Sequence, residues 1–383
     1  MSKYFTDEKF LKFEIPVHSD EWYDFRTIGT NDYPGGIGAS ESAKTLTNNR
    51  FRDRYRPSLP ELFQQKIGMW PIQKFDNLAM VRGRIEEPRV AELWKHWTGD
   101  AFETWLSFEK GEETQRECEV LPFYLVNQDY PWLFASWDRG IPPGQVTEDG
   151  EILRKICPLE IKTISVNNAN QYKSRIPPKY IVQLHQQMIV GDCDYGELFV
   201  KEDDGKLALH RYDRDLDLCN LIVSKTKEFW NRVEKARPMY QDYVVAQTAG
   251  REDLCENIMA EIMALEPEVD GSEAYKEFML ERYQTTPEVI TGGIDVLSDS
   301  VQALKIRRVI KDLEERRDYL DNKIRDAIAK KGVEELHFPE DGGKVMWKTS
   351  GKSKRLTVKP NIEVDQVAIE AFVDELIQGS KLF

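Results

Sequence analysis

At 383 residues the chain has room for two domains, and its 40% hydrophobic and 11% aromatic content fills a core, which argues against global disorder. The net charge of −14 excludes a uniformly basic nucleic-acid binder, but residues 251–300 alone carry −10 and the other 333 only −4, so a local DNA-binding face stays open. No apolar run of membrane-spanning length and no apolar leader in "MSKYFTDEKF" point to a soluble, cytoplasmic protein without a membrane partner, and five scattered cysteines with no C-x-x-C speak against a disulfide framework, a zinc site or an iron–sulfur cluster.

In chain order, "NDYPGGIGAS" (31–40) reads as a loop that ends in Ser40, a helix-capping serine. "RFRDRYR" (50–56) packs four arginines into seven residues, either a solvated loop or a DNA contact. "PELFQQKIG" (60–68) and "NLAMVRGRIEEPRVAELWKHWTG" (77–99) have helical spacing and close on glycine, with Pro88 expected to kink or restart the second. "CEVLPFYLV" (118–126), "WLFASWDRG" (132–140) and "CPLEIKTIS" (157–165) read as strands. "IPPKYIVQLHQQMIVGD" (176–192) reads as an amphipathic helix, and "YGELFVKEDDGKLALHRY" (195–212) as a hairpin around Asp204-Gly205. A long helix follows from about Asp215 to Ala236. This order predicts an α/β (α+β) core with a mixed sheet flanked by helices over residues 1–240.

Beyond it the sequence suggests an acidic, irregular connecting segment over 241–300 and an accessory region over 301–383. That region has a charged helix at 301–331 with a near-heptad stripe of Ile306, Ile310, Leu313, Leu320, Ile324 and Ile328, interrupted by Arg317. A hairpin over 338–358 turning at Asp341-Gly342-Gly343 and a last helix over 363–378 follow. Its basic stretch "KTSGKSKR" (348–355) suits solubility or a contact equally.

The chemistry concentrates between Asp138 and Lys162. In "PLEIKTIS" (158–165) Glu160 and Lys162 are two apart and share one face of a strand, where burying either charge is costly unless it is paired or bound to a metal. Alone, Glu-x-Lys reads first as a salt bridge. Asp138, at a strand end a hairpin-length earlier, shifts the balance towards a site in which two carboxylates offer hard oxygen ligands and the lysine serves the attacking water.

Six segments in register, "EWYDFR" (21–26), "GIGASESAK" (36–44), "NLAMVRGRIEEP" (77–88), "FASWDRG" (134–140), "LEIKT" (159–163) and "IPPKYIVQLHQQMIVG" (176–191), resemble the phage lambda exonuclease and YqaJ-type viral recombinase family of PD-(D/E)XK nucleases. The resemblance implies a restriction-endonuclease-like core in which Asp138 and Glu160, with the Ile161 carbonyl, bind magnesium, for which manganese substitutes. It implies Lys162 as catalytic lysine and Glu87 as a helical carboxylate supporting a second ion. Gln183 and Tyr180 would orient the lysine and the scissile phosphate, and Arg26 and Ser40 would take a terminal 5′-phosphate. Trp137 departs from the family's usual proline before the aspartate.

Blander readings stand beside these: Glu87 as a first-turn acid near Pro88, Ser40 as a cap alone, Gln183 as a core amide. His185 and Cys157 read as structural. The resemblance implies a magnesium-dependent 5′→3′ exodeoxyribonuclease acting on double-stranded DNA ends in a phage-infected or prophage-bearing host, supplying 3′ single strands to a single-strand annealing protein. An endonuclease on the same core and a catalytically silent DNA-end module remain the alternatives, and the oligomeric state, a homo-oligomer included, is open.

Overall fold

The computed structural model describes residues 4–17, 19–46, 56–72, 78–114, 116–146, 152–164, 176–269, 271–283, 291–338, 343–350 and 353–360. The chain divides into two compact units, Met1–Thr285 and Thr286–Phe383.

In the first unit, strands β1 (Phe10–Phe13), β2 (Ile37–Gly38), β3 (Tyr124–Asn127) and β4 (Leu133–Ala135) form one sheet in the order β1-β3-β4-β2. A second sheet has the order β5-β6-β7-β8, built from β5 (Arg139–Ile141), β6 (Cys157–Ile164), β7 (Tyr195–Glu202) and β8 (Leu207–Asp213). It is mixed, as expected: β5–β6 and β7–β8 are antiparallel, whereas β6–β7 is parallel. A parallel pair needs a crossover, and the helix Pro178–Gly191 supplies it.

The helices of this unit are α1 (Asp20–Arg26), α2 (Ser42–Thr45), α3 (Leu59–Ile67), α4 (Leu78–Lys95), α5 (Ala101–Lys110), α6 (Pro178–Gly191), α7 (Leu216–Thr248), α8 (Glu252–Leu265) and α9 (Glu273–Arg282). α6 is the hub. It packs on β3 and β4 of one sheet and on β6 and β7 of the other, with Val182, Leu184, Met188, Ile189 and Val190 fully buried. Burying such side chains stabilises by about 1.5–3 kcal/mol each before entropy is counted.

Three differences from the sequence expectations bear on the site. The apolar run 132–140 is not one strand: it breaks at Ser136-Trp137-Asp138, so β4 and β5 join different sheets and Asp138 stands just before β5. Over 118–126 only the end is strand, continuing to Asn127. α4 passes through Pro88 as one helix and buries Val90, Ala91, Leu93 and Trp94, packing that outweighs the lost backbone donor.

The expected division at 240 falls inside α7, and the described residues of 251–283 are mostly helical, in α8 and α9. α8 and α9 belong to the first unit, with Ile262 and Phe278 buried, Phe278 edge-on to Trp70 at 5.3 Å, and Gln64 donating to Glu266 at 2.7 Å. The acids Glu252, Asp253, Glu256 and Glu261 of α8 and Glu273 and Glu277 of α9 are exposed, whereas Glu266 is held between Gln64 and Arg282.

The second unit holds α10 (Ile294–Lys330) and an antiparallel sheet of β9 (Glu335–His337), β10 (Gly343–Ser350) and β11 (Ser353–Pro360), ordered β11-β10-β9. Three strands thus replace the single expected hairpin. β10 pairs with β9 through Lys344 and His337 and with β11 through Ser350 and Ser353, and Asp341 and Gly342 of the expected turn lie outside the described residues. The expected helix at 363–378 lies outside the described residues.

Candidate active site

Glu160 sits in the middle of β6 with almost no exposure, 1%, a position that demands partners for its charge. It has three. Lys162 donates to Oε1, Gln183 donates to the same oxygen at 2.6 Å, and Gln187 donates to Oε2 at 2.6 Å. Gln183 and Gln187 are one helical turn apart on α6, so both amides face β6. Gln187 also donates to the Ser136 carbonyl at 3.1 Å, fastening the break between β4 and β5 to the same helix.

Asp138 reaches β6 from the neighbouring strand. Its Oδ2 accepts from the Ile161 backbone N–H at 2.7 Å, which sets this carboxylate beside Glu160. Burial, then the nearby Glu160 charge, push the Asp138 carboxyl up to about 8, with Lys162 pulling the other way and Glu87 adding to the rise. Burial works against the Lys162 ammonium, yet Glu160 and Asp138 hold its pKa above the usual lysine range. The ammonium also lies 5.3 Å from the centre of the Tyr180 ring.

Trp137 fits before Asp138 because α6 ends in Gly191: a Cβ there would collide with the indole. α4 approaches the end of β6 through Gly83, where a Cβ would lie 3.5 Å from Thr163 Oγ1. One turn later Glu87 Oε1 accepts from Arg139 Nη1 at 2.5 Å, and the same nitrogen donates to the Asp138 carbonyl.

The structure therefore brings together Asp138, Glu160, Ile161, Lys162, Tyr180 and Gln183, with Glu87 adjoining through Arg139. Gln183 contacts Glu160, not the lysine it was expected to orient. Gln187 and Arg139 were missed. For Gln187 the signal was its spacing of four from Gln183; for Arg139, its position directly after the strand-end aspartate.

Arg26 and Ser40 lie in a second cluster. Arg26 Nη2 donates to Glu41 Oε1 at 3.0 Å, and Lys66 donates to Glu41 Oε2 at 2.8 Å. Burial alone would raise the Glu41 carboxyl, but the Lys66 and Arg26 charges overcome it and hold it at about 2. Burial takes Lys66 down to about 8 despite the attraction of Glu41. Arg237 of α7 anchors the surrounding loops, donating to the Pro34 carbonyl at 2.6 Å, the Thr27 carbonyl at 3.0 Å and the Lys66 carbonyl at 2.8 Å.

Ser40 is exposed beside this cluster but caps no helix. Glu41 reaches back to the Gly38 N–H at 2.8 Å, tightening the turn, and α2 starts only at Ser42 with Glu41 in the cap position.

Of the other candidates, His185 is buried with Nδ1 2.8 Å from the Ile181 carbonyl, and the Cys157 thiol donates to the Lys155 carbonyl at 3.4 Å. Arg56 pairs with Glu61 and Glu281, whereas residues 50–55 lie outside the described residues. In the basic stretch of the second unit Lys348 pairs with Glu335, while residues 351 and 352 lie outside the described residues.

The donor set fits a hard divalent cation. Asp138, just before β5, and Glu160 on β6 supply oxygen only, and the burial and Glu160 charge that together raise Asp138 are what a dication would offset. Among the described residues no three His, Cys, Asp or Glu side chains converge tightly enough to hold a metal without other donors. Any ion here would take further oxygens from backbone, water or substrate.

A mixed sheet with a paired-carboxylate and lysine centre on adjacent strands, backed by an amide-bearing helix, is the class of protein this fold and site define. Residues 21–194 match the YqaJ-like viral recombinase domain, a span that contains Arg26, Glu87, Asp138, Glu160, Lys162, Tyr180, Gln183 and Gln187 but not Arg237. Over that span the first unit is similar to this family. Among solved structures it is similar to LHK-Exo in complex with dAMP, at 20% identity and a TM-score of 0.40 over 61% of this chain and 99% of that one. It is also similar to the alkaline exonuclease LHK-Exo from Laribacter hongkongensis, at 20% identity and a TM-score of 0.37 over 56% and 94%. No curated protein matches the chain. Among the described residues no helix is long and apolar enough to cross a membrane.

Proposed function

We propose that the protein is a magnesium-dependent deoxyribonuclease that degrades duplex DNA from 5′ ends. The observation that carries this reading is the juxtaposition of Asp138 and Glu160 on adjacent strands with Lys162 bonded to Glu160. Asp138 and Glu160, with the Ile161 carbonyl, would hold the ion, and manganese would substitute. Glu87 would support a second ion by exchanging its Arg139 partner. A bound dication supplies charge neutralisation for the phosphate and lowers the pKa of water.

The chain's own residues supply the rest. Lys162 stays an ammonium through the neutral range, so it stabilises negative charge developing on the phosphate and orients the attacking water through its remaining N–H groups. Gln183 and Gln187 fix the Glu160 carboxylate before substrate arrives, so little reorganisation is left for the reaction. The Tyr180 ring lies against the ammonium at the mouth of this arrangement. Arg26 and Ser40 would bind the terminal 5′-phosphate, a dianion that planar guanidinium donors favour over an internal diester. Resection of this polarity leaves 3′ single strands, the substrate of a single-strand annealing protein, in a phage-infected or prophage-bearing cytoplasm.

End-labelled linear duplex and closed circular duplex, incubated with and without magnesium, test the reading. Magnesium-dependent release of 5′-mononucleotides from linear duplex alone is expected. Nicking of the circle would convert the reading to an endonuclease, and inertness on both would make the protein a DNA-end module.

A further inference from the structure

The long helix of the second unit exposes apolar side chains that no other described residue of that unit covers. Ile306 is 59% exposed, Ile310 51%, Leu313 38% and Leu320 50%. They follow the 4-then-3 spacing of a coiled-coil seam over about 21 Å, at 1.5 Å per residue. Among the described residues of this unit, α10 is packed at its far end, where Ile328 and the β10 residue Val345 are buried. A solvated helix has no need of such a stripe, and a contiguous exposed one marks an interface.

The charges beside the stripe select its occupant. Residues 305–311 (KIRRVIK) carry four cations and no acid, whereas 312–321 (DLEERRDYLD) carry five acids and two cations. Two copies aligned in parallel and in register would set like blocks against each other, with Arg317 facing Arg317 inside the seam. Reversing one copy about a point near residues 311 and 312 sets the basic block against the acidic block twice. Arg307 and Glu314, which flank the seam, then face each other across it, and Ile310 meets Leu313. Opposite charges across such flanks set orientation, and like charges oppose it.

We infer that residues 305–321 are a self-association surface through which α10 pairs antiparallel with α10 of a second copy of this chain. This surface lies wholly in the second unit and is independent of the proposed nuclease activity.

The test uses the full chain. Light scattering is expected to show that the mass per particle halves in the double variant Ile310→Glu, Leu313→Glu, with the melting temperature of the first unit unchanged. The charge variant Glu314→Arg is expected to weaken assembly, and adding Arg307→Glu to restore it. Mixed Ile306→Cys and Arg317→Cys chains are expected to form a disulfide between the two different sites under mild oxidation, beyond the background of the parent chain. An unchanged particle mass in the double variant would overturn the inference. So would 306-to-306 cross-links, which report a parallel pair, or dimers that form only after residues 361–383 are removed, which would assign the stripe to the chain's own end.

Discussion

Gln187 donates to Glu160 Oε2, the carboxylate oxygen that Lys162 and Gln183 leave to it. This contact fixes the plane of the Glu160 carboxylate from the opposite side to the lysine. Replacing Gln187 by Leu removes the donor and leaves a buried carboxylate oxygen short of a partner. We expect Mn²⁺ affinity, read by calorimetry on the protein alone, to fall by about 10–100-fold, as for other residues that orient a ligand. Unchanged affinity in a folded variant would make Gln187 a packing residue.

Asp138→Ala and Glu160→Ala are expected to abolish cleavage while leaving DNA binding intact, as gel shift measures. Binding tightens if anything, since a carboxylate facing phosphate is gone. Lys162→Ala is expected to lose about 100-fold or more in turnover. A loss much smaller than that would reduce Lys162 to a salt-bridge partner of Glu160.

The second cluster gives a pH dependence with a defined sign. The Glu41 carboxyl is held at about 2 against a usual 4.5, so its stabilisation is complete above pH 4.5 and is lost as pH falls from there towards 2. The shift corresponds to about 3 kcal/mol. Thermal melts between pH 6 and 2 are expected to show this loss in the parent and a flatter profile in Glu41→Gln. That variant also starts about 3–5 kcal/mol less stable at pH 7, because Lys66 is left buried without its partner.

On substrates, duplex with a 5′-phosphate is expected to be degraded faster than duplex with a 5′-hydroxyl, and Arg26→Ala to narrow the difference. Time courses with both enzymes decide it. Equal rates of the parent on the two ends would leave Arg26 as a partner of Glu41 and nothing more.

Where the chain can be cut follows from the packing. A chain ending at Thr285 is expected to fold cooperatively and keep the divalent-ion site, because the first compact unit closes there. One ending at Tyr240 cuts α7 and removes the helices that bury Ile262 and Phe278, and it is expected to melt lower. Matching melting temperatures for the two would move the boundary back into α7.

The elements β6, α6 and the β7–β8 hairpin were legible because their periodicities are sharp, whereas Glu87, Tyr180, Gln183, Arg26 and Ser40 were candidates only through the resemblance. Pairing Glu160 with Asp138 needed only strand order. The break at Ser136-Trp137-Asp138 was not legible, since the apolar run looks continuous and only the change of sheet separates its halves. α8 and α9 were hidden because the acidic balance of 251–300 masked their apolar spacing, and only a few buried side chains hold them. Gln187 looks like filler on an apolar helix until the strand beneath it is known. At Ser40 a serine before a helix-like stretch suggested a cap, but the longer Glu41 side chain reaches the Gly38 amide and shifts the helix start.

Arg237 stands more than 200 residues after the loop it clasps, and it holds the backbone at Thr27, Pro34 and Lys66 at once. Synthesis runs from the N-terminus, so this clasp can close only after Arg237 of α7 has been made, 50 residues beyond Gln187. A chain cut before Arg237 would leave the loops around Arg26 without their anchor.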